Sequence, residues 1–190
     1  MFSRLSDAAA HRFAASGVIA EKDFEICRYG IRQLCSVLMN LVTSLCIGAV
    51  FGMIWESILF LAAYIPLRSY AGGFHAKTPM RCYWYSVGML IAVLMCLRFL
   101  PFSLGTAAIC YGCSGTLLWW LAPVADHNKP LEEIEIKVYR RRTRVVWCLE
   151  SICMIALYCL QLEQAGNCIL WAILALSGML IAGEIKNRFR

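Results

Sequence analysis

The chain has 190 residues, 61% of them hydrophobic and 16% charged, with a formal net charge of +6. A soluble domain carries about 25% charged residues, so this composition, with a mean hydropathy of +0.65, excludes an ordinary soluble globule. It predicts a single integral membrane domain over 1–190. Eleven cysteines would suggest disulfides in a secreted chain, but most lie in apolar runs, where a free thiol packs as a small hydrophobe. Cys110 and Cys113 form a C-x-x-C inside such a run and read as packing residues rather than a redox motif. No metal-ligand spacing is present, and neither a cofactor nor a nucleic-acid partner is expected.

Residues 1–32 mix Arg4, Arg12, Lys22, Arg28 and Arg32 with Asp7, Glu21, Asp23 and Glu25, and intersperse apolar residues such as Phe13, Phe24 and Ile31. They lack the early apolar core of a signal peptide. One or two amphipathic helices on the membrane surface are predicted; a solvated tail is the alternative.

Six apolar stretches follow. The first, 33–55, has the length a bilayer crossing requires. The second, 57–67, is short and carries Pro66 near its end, so it reads as a short or broken span. Spans are predicted at 83–100, closed by Pro101, and at 103–124, where Trp119 and Trp120 suit an interface. Two more cover 145–162 and 167–183. Residues 126–144 read as a polar loop and 184–190 as a tail. The expected fold is therefore all-α and polytopic, with six transmembrane helices behind amphipathic N-terminal helices. With both termini on the cytoplasmic side, every lysine and arginine except Arg98 faces the cytoplasm, as the positive-inside rule asks.

Chemistry concentrates between the second and third stretches, in R-S-Y-A-G-G-F-H-A-K-T-P-M-R-C-Y-W-Y-S from Arg68 to Ser86. Thr78 and Pro79 read as N-cap and first residue of a helix. Cys82 then falls in its first turn, where the helix dipole and nearby Lys77 and Arg81 favour a thiolate. Gly72 and Gly73 let the chain fold sharply, bringing His75 back towards Cys82. Along one continuous helix the two would stand about 10 Å apart, too far for proton transfer. A Cys–His pair is a standard activated nucleophile; the plain alternative is a packed cysteine and a loop histidine.

Gln33 opens the first span and is either a helix-end residue facing water or an oxyanion donor at the depth of Cys82; the first-turn amides of Met80, Arg81 and Cys82 are candidate donors too, as is Arg68, which also suits a clamp for a substrate carboxylate. Glu150 lies inside the fifth span, where an ionisable residue suggests function, or serves as a structural partner for Arg144 or Arg68.

The pattern Arg68, Gly72-Gly73-Phe74-His75-Ala76, Thr78, Cys82, Ser86 resembles the signature of the accessory gene regulator B (AgrB) family, membrane cysteine endopeptidases of bacterial quorum sensing. Ala122-Pro123-Val124 with Asn128-Lys129-Pro130 and the basic run resembles that family's second segment. Pro79 and Arg81 depart from the pattern, which leaves peptide choice open. The resemblance implies that Cys82 is the nucleophile and His75 its base, with Arg68 and Gly73 required. It implies an AgrD-like precursor peptide with an acidic C-terminal tail, whose signal portion is retained as an acyl-enzyme and closed to a thiolactone or lactone. It further implies a homodimer in the bacterial cell membrane. Lys129, Lys137, Arg140 and Arg141 are the expected contacts for the acidic tail. Two other readings stand beside it: a small peptide exporter with a re-entrant gate at 68–82, supported by the short second span and Glu150, and a non-catalytic scaffold.

Overall fold

A computed structural model describes residues 3–74, 76, 78–100, 102–125 and 131–189. Seven α-helices carry them: α1 (Ser3–Ala15), α2 (Phe24–Phe51), α3 (Ile54–Ala71), α4 (Pro79–Phe99), α5 (Leu104–Leu121), α6 (Glu133–Cys159) and α7 (Glu163–Arg188). A single 3-10 turn, Glu21–Asp23, leads into α2. Among the described residues the nearest thing to a strand is an isolated parallel bridge between Gly72 and Val124.

Four helices, α2, α4, α5 and α7, are long and apolar enough to cross a membrane. The expected count of six is not reached by that measure. Helix α3 has 18 residues but includes Glu56 and Arg68, and α6 has 27 but carries the run Arg140-Arg141-Arg142-Thr143-Arg144. Two further expectations are corrected. The second stretch is a continuous helix with Pro66 inside it, not a broken one. The predicted polar loop is helical from Glu133 onward. Its start is explained by the acidic cluster: the Glu135 carboxylate accepts from the Glu132 amide at 3.1 Å, and acids in the first turn complement the helix dipole.

Helix α1 does not stand alone. Ser6 and Ala10 are buried, His11 packs on Phe24 with centroids 4.8 Å apart, and Arg28 pairs with Glu25 at 2.8 Å and with Asp7 at 3.7 Å. Gly52, at φ 67°, turns α2 into α3. Beside it Gly48 admits Ser57, because a Cβ there would stand 2.9 Å from the Ser57 Cβ.

The core is built around α7, half of whose apolar window is buried. Leu170, Ile173, Leu176 and Leu180, spaced three or four apart on one helical face, are fully buried. They share a cluster with Phe60 and Leu67 of α3, Leu90 and Leu94 of α4, Leu118 of α5 and Met154 of α6. Apolar side chains drive little association where the surroundings are lipid, so small residues and polar bonds help set the packing. The Ser177 hydroxyl donates to the Ser114 carbonyl at 3.1 Å, Tyr111 to Ser151 at 2.6 Å and Tyr158 to the Asn167 side chain at 2.6 Å. Arg98, the one basic residue outside the four basic segments, reaches the Phe51 carbonyl at 3.4 Å, near the end of α2.

Candidate active site at the α3–α4 loop

The sequence after α3 cannot continue as a helix. Gly72 takes φ 70° and Gly73 φ 113°, the left-handed region that side chains avoid. Both positions are also crowded. A Cβ on Gly72 would meet the Val124 backbone, and one on Gly73 would lie 2.6 Å from an Arg68 guanidinium nitrogen and 3.0 Å from the Met179 carbonyl oxygen.

This loop is pinned from three sides. The Val124 amide donates to the Ala71 carbonyl at 2.9 Å, and the Gly73 amide returns a bond to the Val124 carbonyl at 3.1 Å. The Phe74 amide donates to the Met179 carbonyl on α7 at 2.9 Å. The Arg68 guanidinium donates to the carbonyls of Gly72 and Phe74. Gly183 completes the seat, since a Cβ there would stand 2.8 Å from the Gly73 carbonyl carbon and the Phe74 nitrogen. Asn187 secures the 122–125 segment to α7 through the Ala125 carbonyl at 2.9 Å. The peptide bond between Ala122 and Pro123 is cis.

Helix α4 starts as the sequence predicts. Thr78 is its N-cap, accepting from the Arg81 amide at 3.3 Å, and Pro79 is its first residue. Cys82 lies in the first turn, partly exposed, with its amide bonded to the Thr78 carbonyl at 3.1 Å. Ser86 donates to the Cys82 carbonyl at 3.1 Å, so it supports the backbone of Cys82. Phe74 packs edge-on against Tyr85, with centroids 5.4 Å apart. Tyr85 is three residues after Cys82 and therefore on the same side of α4. The chain immediately before residue 75 is thus folded back onto the part of α4 that carries the thiol. Lys186 also reaches this place, 5.3 Å from the centroid of the Phe74 ring.

His75 itself lies outside the described residues, as do Lys77 and Lys129. Gln33 is on the exposed surface of α2. The register of α2 against α4 is marked by Thr43 and Tyr83, whose hydroxyls are 3.0 Å apart. That contact is ten residues, about 15 Å of helix rise, from Gln33. The amide of Gln33 is not brought to Cys82. Helix α2 begins at Phe24, nine residues before Gln33. Of the first-turn amides offered as oxyanion donors, those of Arg81 and Cys82 are engaged by Thr78; Met80 is the one that neither bond occupies.

Sequence reasoning missed Tyr64, Met179 and Gly183. Tyr64 is buried one turn before Arg68 on α3 and lies within electrostatic reach of both Arg68 and Cys82. Its i, i+4 spacing from Arg68 was the available signal. Met179 acts through its backbone carbonyl, which no side-chain pattern encodes. Lys137, Arg140 and Arg141 come together on α6, lining a cavity of about 460 Å³ with Arg144 and Trp119; no described residue of the 68–86 stretch lines it. Among the described residues the Glu150 carboxylate has no hydrogen-bond partner, so the expected pairing with Arg144 or Arg68 is not made.

A family model for Accessory gene regulator B matches residues 6–181. The chain belongs to this family. It is 27% identical over 164 residues to Protein FsrB of Enterococcus faecalis, an alignment covering 84% of this chain and 65% of that protein. It is 27% identical over 150 residues to a putative AgrB-like protein of Halalkalibacterium halodurans, covering 78% and 73%. A putative AgrB-like protein 2 of Clostridium perfringens is 28% identical over 121 residues, covering 57% and 54%. The chain thus spans just under two thirds of FsrB's length. No solved structure matches it. Family membership and the apolar helices together make this a membrane protein, and the matched span includes both the pinned loop and Cys82.

Proposed function

We propose that this AgrB-family protein is a membrane cysteine endopeptidase that processes an AgrD-like precursor peptide, with Cys82 as nucleophile and His75 as its base. The observation that carries the reading is the Phe74–Tyr85 contact, which supports a loop folded back on the side of α4 that bears the thiol.

In this reading His75 takes the Cys82 proton, and the sulfur attacks the scissile carbonyl. Negative charge develops on the carbonyl oxygen within reach of the Met80 amide. The C–N bond breaks, His75 returns the proton to the departing amine, and the acidic tail leaves. The retained part is a thioester on Cys82. A cysteine within the peptide then attacks that thioester through His75. Its thiol proton passes to the released Cys82, and a thiolactone forms with no net loss of acyl energy. Hydrolysis competes with closure, so a site that limits water and holds the peptide thiol close has the advantage. The surplus of Lys and Arg suits an acidic tail. Placing that surplus on the cytoplasmic side puts both termini and Cys82 there, and the full layout is then six crossings, with α3 and α6 completing the four most apolar helices.

The exporter reading rests on a short second span and on Glu150; α3 is a continuous helix of 18 residues, which takes away the first of these. The test is co-expression with a candidate precursor: a short peptide with an amphipathic helix, an internal cysteine and an acidic tail. Mass analysis should find tail-free cyclic product with the wild-type chain. Intact precursor throughout would contradict the reading.

A further inference from the structure

The cavity on α6 has a build of its own. Lys137, Arg141, Arg144 and Cys148 follow one another at intervals of three or four, with Val145 one step to the side, so they form a single stripe along the helix. Arg140 and Leu149 flank it, and all of these line the cavity. The stripe is cationic at its start and apolar beyond. It continues upward through Ile152 and Ile155, whose side chains are largely exposed. Four cations therefore stand at one end of an apolar track that faces outward from the bundle.

The floor of the cationic end is aromatic. Arg144 lies over the Trp119 ring, 3.9 Å from its centroid, and donates to the Trp119 carbonyl at 3.5 Å. Trp119 in turn packs against Trp147 at 6.0 Å. Trp120 beside it is 78% exposed. Tryptophans of this kind mark the level of lipid headgroups.

The cavity also looks away from the Cys82 loop. The neighbouring side of α6 is the one turned towards α3: Tyr139 contacts Tyr70 at 6.4 Å, and Arg142 lies over the Tyr70 ring at 5.5 Å.

We infer that this cavity is a binding site for an anionic phospholipid. The headgroup phosphate sits among Lys137, Arg140, Arg141 and Arg144, and an acyl chain follows Val145, Leu149, Ile152 and Ile155. The molecule's amphiphilic shape matches the order of charge and apolarity along the stripe, which an acidic peptide tail does not. Lys137, Arg140 and Arg141 are thereby reassigned from the substrate tail to lipid. The assignment stands whether or not the chain is a peptidase.

The test is native mass spectrometry of the purified full-length protein equilibrated with an equimolar mixture of phosphatidylglycerol and phosphatidylcholine. Phosphatidylglycerol should be retained in preference. Arg140→Gln with Arg141→Gln should lower its apparent affinity about 25-fold, at about fivefold per charge. Both side chains are exposed, so the fold is not at stake. Arg142→Gln removes one charge from the other side of α6 and should leave retention unchanged. Equal retention of the two lipids would overturn the proposal, as would an unchanged affinity in the double variant. Displacement of phosphatidylglycerol by hexaglutamate would assign the cavity to a peptide instead.

Discussion

The rings of Phe74 and Tyr85 meet edge to face, 5.4 Å between centroids at an interplanar angle of 82°. One ring belongs to a glycine loop and the other to the second turn of α4, so this contact couples the backbone next to His75 to the helix that presents Cys82. An aromatic pair of this geometry is worth about 0.5–1.5 kcal/mol beyond its buried area. Phe74→Ala should therefore slow single-turnover cleavage about two- to tenfold while Cys82 stays reactive to a small maleimide. An unchanged cleavage rate would mean that the contact does not position the base.

Gly183 and Gly178 are two glycines of α7 with opposite expectations. A methyl group at 183 enters the backbone of Gly73 and Phe74, whereas one at 178 meets nothing within 4 Å. Gly183→Ala should cost about 1–3 kcal/mol through overpacking and displace the loop, lowering both the melting temperature and activity. Gly178→Ala should hold or raise stability, since alanine favours a helix by up to about 1 kcal/mol over glycine. Thermal unfolding in detergent compares the two. Equal effects would show that the seat at Gly183 is not tight.

Arg68 was expected to support the transition state or clamp a substrate carboxylate. Its guanidinium donates to two loop carbonyls two residues apart. Arg68→Lys keeps the charge but loses the fork geometry, leaving a carbonyl that costs about 1–3 kcal/mol if unsatisfied. Faster hydrogen exchange across residues 73–76 and a lower kcat are expected. A rise in KM alone, with exchange unchanged, would restore the clamp.

Gln33→Ala should leave acylation close to wild type, because the Thr43–Tyr83 contact sets Gln33 well along α2 from the thiol. Loss of a true oxyanion donor slows an enzyme about a hundredfold to a thousandfold. A loss of that size in single-turnover cleavage would put Gln33 back in the site.

Much of this was legible because local grammar decided it. Thr78-Pro79 encodes a helix start, and Gly72-Gly73 encodes a turn with positive φ; both are properties of neighbouring residues. The apolar runs gave the all-helical class and the order of α2 to α7. What the sequence hid was long-range. The seat of the loop uses the carbonyls of Val124 and Met179 and the bare Cα of Gly183, none of which carries a side-chain signature. Helix α2 runs on from Phe24 through the mixed stretch Phe24–Arg32, which is helical without being uniformly apolar. The basic run before 145 reads as a loop on its charge alone, yet it is helical throughout. Its residues are spaced as one stripe only once α6 is seen to begin at Glu133.

The central claim is that Cys82 carries the acyl group. The direct measurement is intact-protein mass spectrometry of the purified enzyme in liposomes, given a precursor whose internal cysteine is replaced by alanine. Ring closure is then blocked, and the thioester should accumulate. The account predicts an adduct with the mass of the tail-free peptide, located on Cys82, released by hydroxylamine and absent in Cys82→Ala. Replacement of Cys96 or Cys159 should leave it intact. Cleavage at the normal rate in Cys82→Ala, or the adduct on another residue, would contradict it.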